Sequence, residues 1–163
     1  MAGMLVSDNM GSGGRMYYSG EVLSIPGLLV NVNSVGKIVK NTTAGGLPDY
    51  MTFKPSFNHA TGQAADNMPT PVYPLIPGYI VYLKLVATNE AIEVGDRIMA
   101  TDTGEVDKYV DPGSGNYVYS IGKALEVKVQ NAGDSYTFGA GGSAGEPYTV
   151  KVFIKPEFMV GSE

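Results

Sequence analysis

Cysteine and tryptophan are absent from the 163 residues, and histidine occurs once, as His59. Without thiols the chain can build neither a disulfide framework nor a thiolate metal site. A single imidazole also excludes a zinc site of the usual kind. Charge is sparse: Asp, Glu, Lys and Arg make up 17% of the residues, and their balance is -5. A net negative chain has no global attraction for nucleic acid or anionic membrane. The basic residues are scattered, so no local patch restores one. No apolar run approaches the roughly 18 residues of a membrane span. The start, MAGMLVSDNM, lacks the basic region and apolar stretch of a secretory leader, its apolar run being only Met4 to Val6. The expectation is a protein made and kept in the cell's cytoplasm unless it leaves within something larger. Helical periodicity is missing too, since no segment carries an i, i+3, i+4, i+7 stripe with caps at both ends.

What the chain has is glycine, proline and alternation. Gly 22 and Pro 10 suit many corners between short strands. Strand signals run over Glu21–Ile25, Leu28–Val32, Val35–Val39, Tyr79–Ala87, Arg97–Thr101, Glu105–Val110, Tyr117–Val129 and Tyr148–Lys155, all rich in β-branched and aromatic residues. Tyr79–Ala87 is apolar on both faces and reads as a central strand. In Tyr117–Val129 the alternation changes phase near Gly122-Lys123, which predicts a bulge. Roughly eight to ten such strands imply an all-β domain, a compact barrel or sandwich. The domain spans 21–160. It is preceded by a flexible arm, 1–20, in which GSGG accompanies the apolar Leu5, Val6, Met10, Met16, Tyr17 and Tyr18. An arm of that composition suits a segment that orders on a partner. Two stretches interrupt the strands: an ordered Pro/Gly-rich excursion at 41–78, with six prolines and four glycines and room for a short strand such as Tyr50 to Phe53, and a Gly-rich loop at 131–146.

The acids concentrate in AIEVGDRIMATDTGEVDKYV (91–110). Turn chemistry accounts for them. Gly95-Asp96 makes a tight turn into one strand. Asp102-Thr103-Gly104 makes a three-residue hairpin with glycine in the left-handed position, where Asp102 can bond backbone amides. Glu105 and Asp107 then share the wet face of the next strand. The twelve-residue calcium loop is absent, and nothing marks a cleft for a carboxylate acid/base pair. GDRI followed by GEVDKY is reminiscent of the trimeric dUTP pyrophosphatases, but the elements stand in reversed order and the Asp107–Tyr109 spacing is one residue short. His59 lies alone in FNHATGQ with no activated nucleophile in sight. GSGG and GAGG lack the Lys-Ser/Thr ending of a phosphate loop. No catalytic residue, metal site or cofactor is expected.

The order of elements in the second half resembles a family. GD-strand, TG-x-V hairpin, IGKALE strand and closing YTVKVFI strand are similar to those of capsid decoration (cement) proteins of bacteriophages. The resemblance covers about residues 75–155. It implies a β-barrel or β-tulip domain that sits, commonly as a homotrimer, on the outer face of an icosahedral head. There it binds the major capsid protein and stabilises the shell, with the arm residues Leu5, Val6, Met10, Met16, Tyr17 and Tyr18 as capsid-facing contacts. The partners implied are the major capsid protein and further copies of the chain, with no nucleic acid and no membrane, and the location implied is the virion surface. Two alternatives come from other classes. One is a receptor- or carbohydrate-binding module of a virion fibre or tail, which exposed aromatics in 41–78 would favour. The other is a nucleotide hydrolase on a β-barrel.

Overall fold

The computed structural model describes residues 14–54, 56–58, 60–86, 92–129 and 147–162. Those residues form strands and no helix. In chain order the strands are β1 (Arg15–Tyr18), β2 (Leu29–Val32), β3 (Ile38–Lys40), β4 (Tyr50–Thr52), β5 (Phe57–Asn58), β6 (Gln63–Ala64), β7 (Pro69–Pro74), β8 (Ile80–Lys84), β9 (Arg97–Ala100), β10 (Val106–Lys108), β11 (Tyr117–Val129) and β12 (Pro147–Val160). The expected all-β class is the one observed. Two antiparallel five-stranded sheets, β1-β7-β4-β2-β3 and β10-β9-β11-β12-β8, pack together, and β5 and β6 form a small separate ribbon.

Each sheet curls until its outer strands meet. In the first, Ser19 bridges Ile38 in parallel, and the Gly20 N–H donates to the Ile38 carbonyl at 2.7 Å. In the second, Leu85 bridges Val106 in parallel, and the Val86 N–H donates to the Val106 carbonyl at 3.0 Å. Closure of this kind removes the open edges that otherwise invite uncontrolled pairing.

Strand alternation decides which face is buried. In the first sheet Val30, Ile38 and Val72 turn inward with Leu23 and Leu28 to form a small core. Leu29 and Met51 turn the other way and enter the core of the second sheet. That larger core holds Val81, Leu83, Ile98, Val106, Ile121, Val150, Val152 and Ile154, all essentially without solvent contact. Backbone bonds tie the two sheets as well: the Leu29 N–H donates to the Gly104 carbonyl at 2.6 Å and the Lys84 N–H to the Gly27 carbonyl at 3.1 Å. Gly104 has φ +80°, as the predicted hairpin requires, and a Cβ there would lie 2.9 Å from the Leu29 carbonyl oxygen. One glycine thus serves both the turn and the joint.

Several expectations need correction. Residues 41–78 hold the short strand expected near Tyr50, as β4, but are more than an excursion, because β4 and β7 are two inner strands of the first sheet and β5 and β6 form the ribbon. The prolines of β7 disguised it. The Pro71 carbonyl accepts from Phe53 at 3.1 Å, so Pro71 directs its backbone toward the β4 side, and Pro69, two residues away, does the same. The intervening Thr70 and Val72, opposite Tyr17 and Arg15, keep their N–H groups for β1. A strand tolerates proline where no ladder donor is required. The strand read as central, β8, is instead last in its sheet. Its inward residues Val81 and Leu83, with Leu85 just after them, are buried in the core, while Ile80 and Tyr82 on the other face stay half-buried. The β framework also begins earlier than residue 21, since β1 lies within the stretch read as the arm. The final strand runs on through Pro156 to Val160. The 131–146 loop and residues 1–13 lie outside the described residues. The expected bulge in β11 is present, with register shifts between Ser120 and Gly122 and between Ala124 and Glu126.

Candidate interaction surface

Of the acids of 91–110, Asp96 and Glu105 are engaged by neighbouring turn residues and lysines. The Asp96 carboxylate accepts the Glu93 N–H at 2.8 Å and pairs with Lys108 Nζ at 3.0 Å. The Glu93 N–H, then Lys108, hold its carboxyl below the usual carboxylate range. The Glu105 carboxylate accepts the Thr103 hydroxyl at 3.0 Å and lies 3.9 Å from Lys84 Nζ. Lys84 is buried and donates to the Leu85 carbonyl at 2.6 Å. Burial lowers its pKa, and Glu105 offsets part of that. In the hairpin turn it is the Thr101 hydroxyl, not Asp102, that bonds the chain, reaching the Glu105 carbonyl at 3.0 Å. Among the described residues no group of three His, Asp or Glu could hold a metal ion. His59 lies outside the described residues.

Among the exposed apolar side chains are two groups set on paired strands. The first is β1. Its alternation turns Met16 and Tyr18 outward, 65% and 57% exposed, opposite Pro71 and Pro69 of β7. Tyr17 turns the other way. Its ring packs 5.4 Å from that of Tyr50, and the two hydroxyls share a hydrogen bond of 3.2 Å. That bond lowers the Tyr17 pKa and raises that of Tyr50. Of the six arm residues singled out from sequence, Met16 and Tyr18 thus form an outward strip, Tyr17 closes the mouth of the small core, and Leu5, Val6 and Met10 lie outside the described residues.

The second place is the far end of the β11–β12 hairpin, which sequence reading passed over. Tyr117 stands opposite Val160, and Tyr119 opposite Phe158. Tyr117, Phe158 and Val160 are 66%, 55% and 64% exposed. The Phe158 ring lies 5.2 Å from that of Tyr117 and 5.4 Å from that of Tyr119. The tyrosine alternation hinted at this face, but its other half follows Pro156, where the strand had been taken to stop.

The aromatics of 41–78 behave differently. Tyr50 packs on the small core, and Phe53 and Tyr73 meet edge to face at 5.3 Å against the larger one. Their described side chains do not make the exposed row that a glycan-binding reading would use. No family model and no curated protein matches this sequence.

Proposed function

We propose that the protein is a structural virion component, a capsid decoration protein that binds the outer face of an assembled icosahedral head. The observation that carries this is the outward apolar strip of Met16 and Tyr18 against Pro69 and Pro71, set just after the sticky segment Leu5 to Met10. Apolar side chains held at a sheet rim suit contact with protein. The resemblance of residues 75–155 to decoration proteins supplies the kind of partner. The mechanism is mass action: a protein that binds only the expanded shell stabilises that state by its binding free energy, and many copies on linked subunits add up.

The test is co-sedimentation with heads. Removal of residues 1–13 leaves β1 and its pairing with β7 in place, whereas removal through residue 18 would strip a strand from the first sheet. The 1–13 truncation and the double substitution Met16→Glu, Tyr18→Glu are expected to remain folded and to lose head binding by at least about tenfold. Undiminished binding of both would refute the proposal.

A further inference from the structure

We propose that the hairpin face made by Tyr117, Tyr119, Phe158 and Val160 is the surface through which one copy of this chain meets another. This deepens the reading above by locating a self-contact. It is tested by association state alone, so it can fail while head binding stands, and the reverse.

The face is built to stay in place. Just beyond it, the Gly161 N–H donates to the Asn116 carbonyl at 3.0 Å, and Gly161 bridges Ser114. Asp111 accepts from the Ser162 N–H at 3.2 Å and from the Ser162 hydroxyl. Phe158 is fixed between two tyrosine rings. Side chains already ordered lose little entropy on docking. The chain therefore secures its last strand on both sides while leaving the rings in water.

Charge selects the occupant. Identical surfaces brought together place like charges face to face, and a chain of net charge -5 resists that wherever ionised groups dominate. The four side chains of this face carry no ionised group. Beside it, Glu157 is paired with Arg97 at 3.2 Å and Lys155 at 2.8 Å, and Asp111 at its edge is held by Ser162. Further along the same hairpin the outward face becomes ionic, with Lys151 3.8 Å from Glu126. The uncharged end is thus the part of β11–β12 where a second copy meets the least repulsion.

Size agrees. With about 150–250 Å² per large aromatic side chain, the exposed fractions amount to roughly 300–400 Å². An interface of about 800 Å² per partner would bury this patch at its centre and take the rest of its area from the polar surface around it. The polar tyrosine hydroxyls suit its rim.

The experiment is sedimentation velocity on the full chain over a concentration series, with the Val160→Glu and Val160→Lys variants separately and mixed. The wild type is expected to associate. Each variant alone should need at least about tenfold higher concentration, and the mixture should recover association by pairing opposite charges. Thermal unfolding checks that the variants fold; should either fail, Tyr117→Glu and Tyr117→Lys take their place. A wild type that stays monomeric at every concentration overturns the proposal. So does a variant that associates like the wild type, or a mixture no better than its components.

Discussion

The two sheets solve one problem by different means. The second sheet holds itself by long ladders: β11 and β12 pair from Tyr117–Val160 to Val129–Pro147, and β8 adds five more pairs. Its core is large and apolar. The first sheet has short strands and a small core, and polar side chains finish what its ladders leave open. Ser56 Oγ accepts the Leu23 N–H at 2.8 Å, Thr52 Oγ1 the Leu28 N–H at 3.0 Å, and Asp49 the Val32 N–H at 3.1 Å. Ser19 Oγ accepts from Met68 at 3.1 Å. A β-barrel can therefore be assembled either from regular pairing or from irregular chain whose backbone groups are satisfied one at a time. The second way costs more conformational entropy for each residue ordered and depends on individual side chains.

The largest effect is expected at Gly122 in the second sheet. A Cβ there would lie 2.0 Å from the Phe153 carbonyl oxygen, so Gly122→Ala must push β11 and β12 apart. The expected loss is about 3 kcal/mol or more, read as a large fall in the denaturation midpoint or failure to fold. Next come paired core truncations. Leu83→Ala in the large core should cost about 3–5 kcal/mol, and Ile38→Ala in the small one about 2–3 kcal/mol. Guanidinium melts giving equal losses would remove the distinction between the cores.

Ser56→Ala sharpens the contrast at about 1–3 kcal/mol, because it leaves the buried Leu23 N–H without its acceptor. Faster amide exchange at Leu23, with the β11–β12 ladder unchanged, is the expected signature.

The smallest effect is acid sensitivity at the exposed end of the second sheet. Ser162 first, then the Gly113 N–H, hold the Asp111 carboxyl below the usual carboxylate range. Lys155 and Arg97 do the same for Glu157. A folded pKa below the unfolded one gives stability that is present above about pH 4 and is lost as pH falls through the folded value. Asp111→Asn should flatten that part of the acid-unfolding curve, followed by circular dichroism. An unchanged curve would mean that the Ser162 contact contributes nothing in solution.

Much of the second sheet was legible in the sequence. Tyr79–Ala87, Tyr117–Val129 and the Asp102–Gly104 hairpin advertise themselves through alternation and turn residues, and even the β11 bulge left a phase change. The first sheet was less so. Pro69, Pro71 and Pro74 hide β7, because only the positions of its neighbours reveal which backbone donors it can spare. The same limit applied to the candidate surfaces. Sequence picked out Met16, Tyr17 and Tyr18 together, yet the side of β1 each faces depends on pairing with β7. The hairpin face escaped notice because Pro156 masked the continuation of β12.

Composition, alternation and glycine placement act locally, and they suffice to make this protein all-β, turn-rich, free of thiol chemistry and weakly charged. Which sheet each strand joins, the curl of the two sheets and their shared core at Leu29 and Met51, and which apolar side chains remain in water emerge only in the folded chain. Those outcomes depend on hydrogen-bonding partners many residues away, and residue type alone does not specify which partner a backbone group will find.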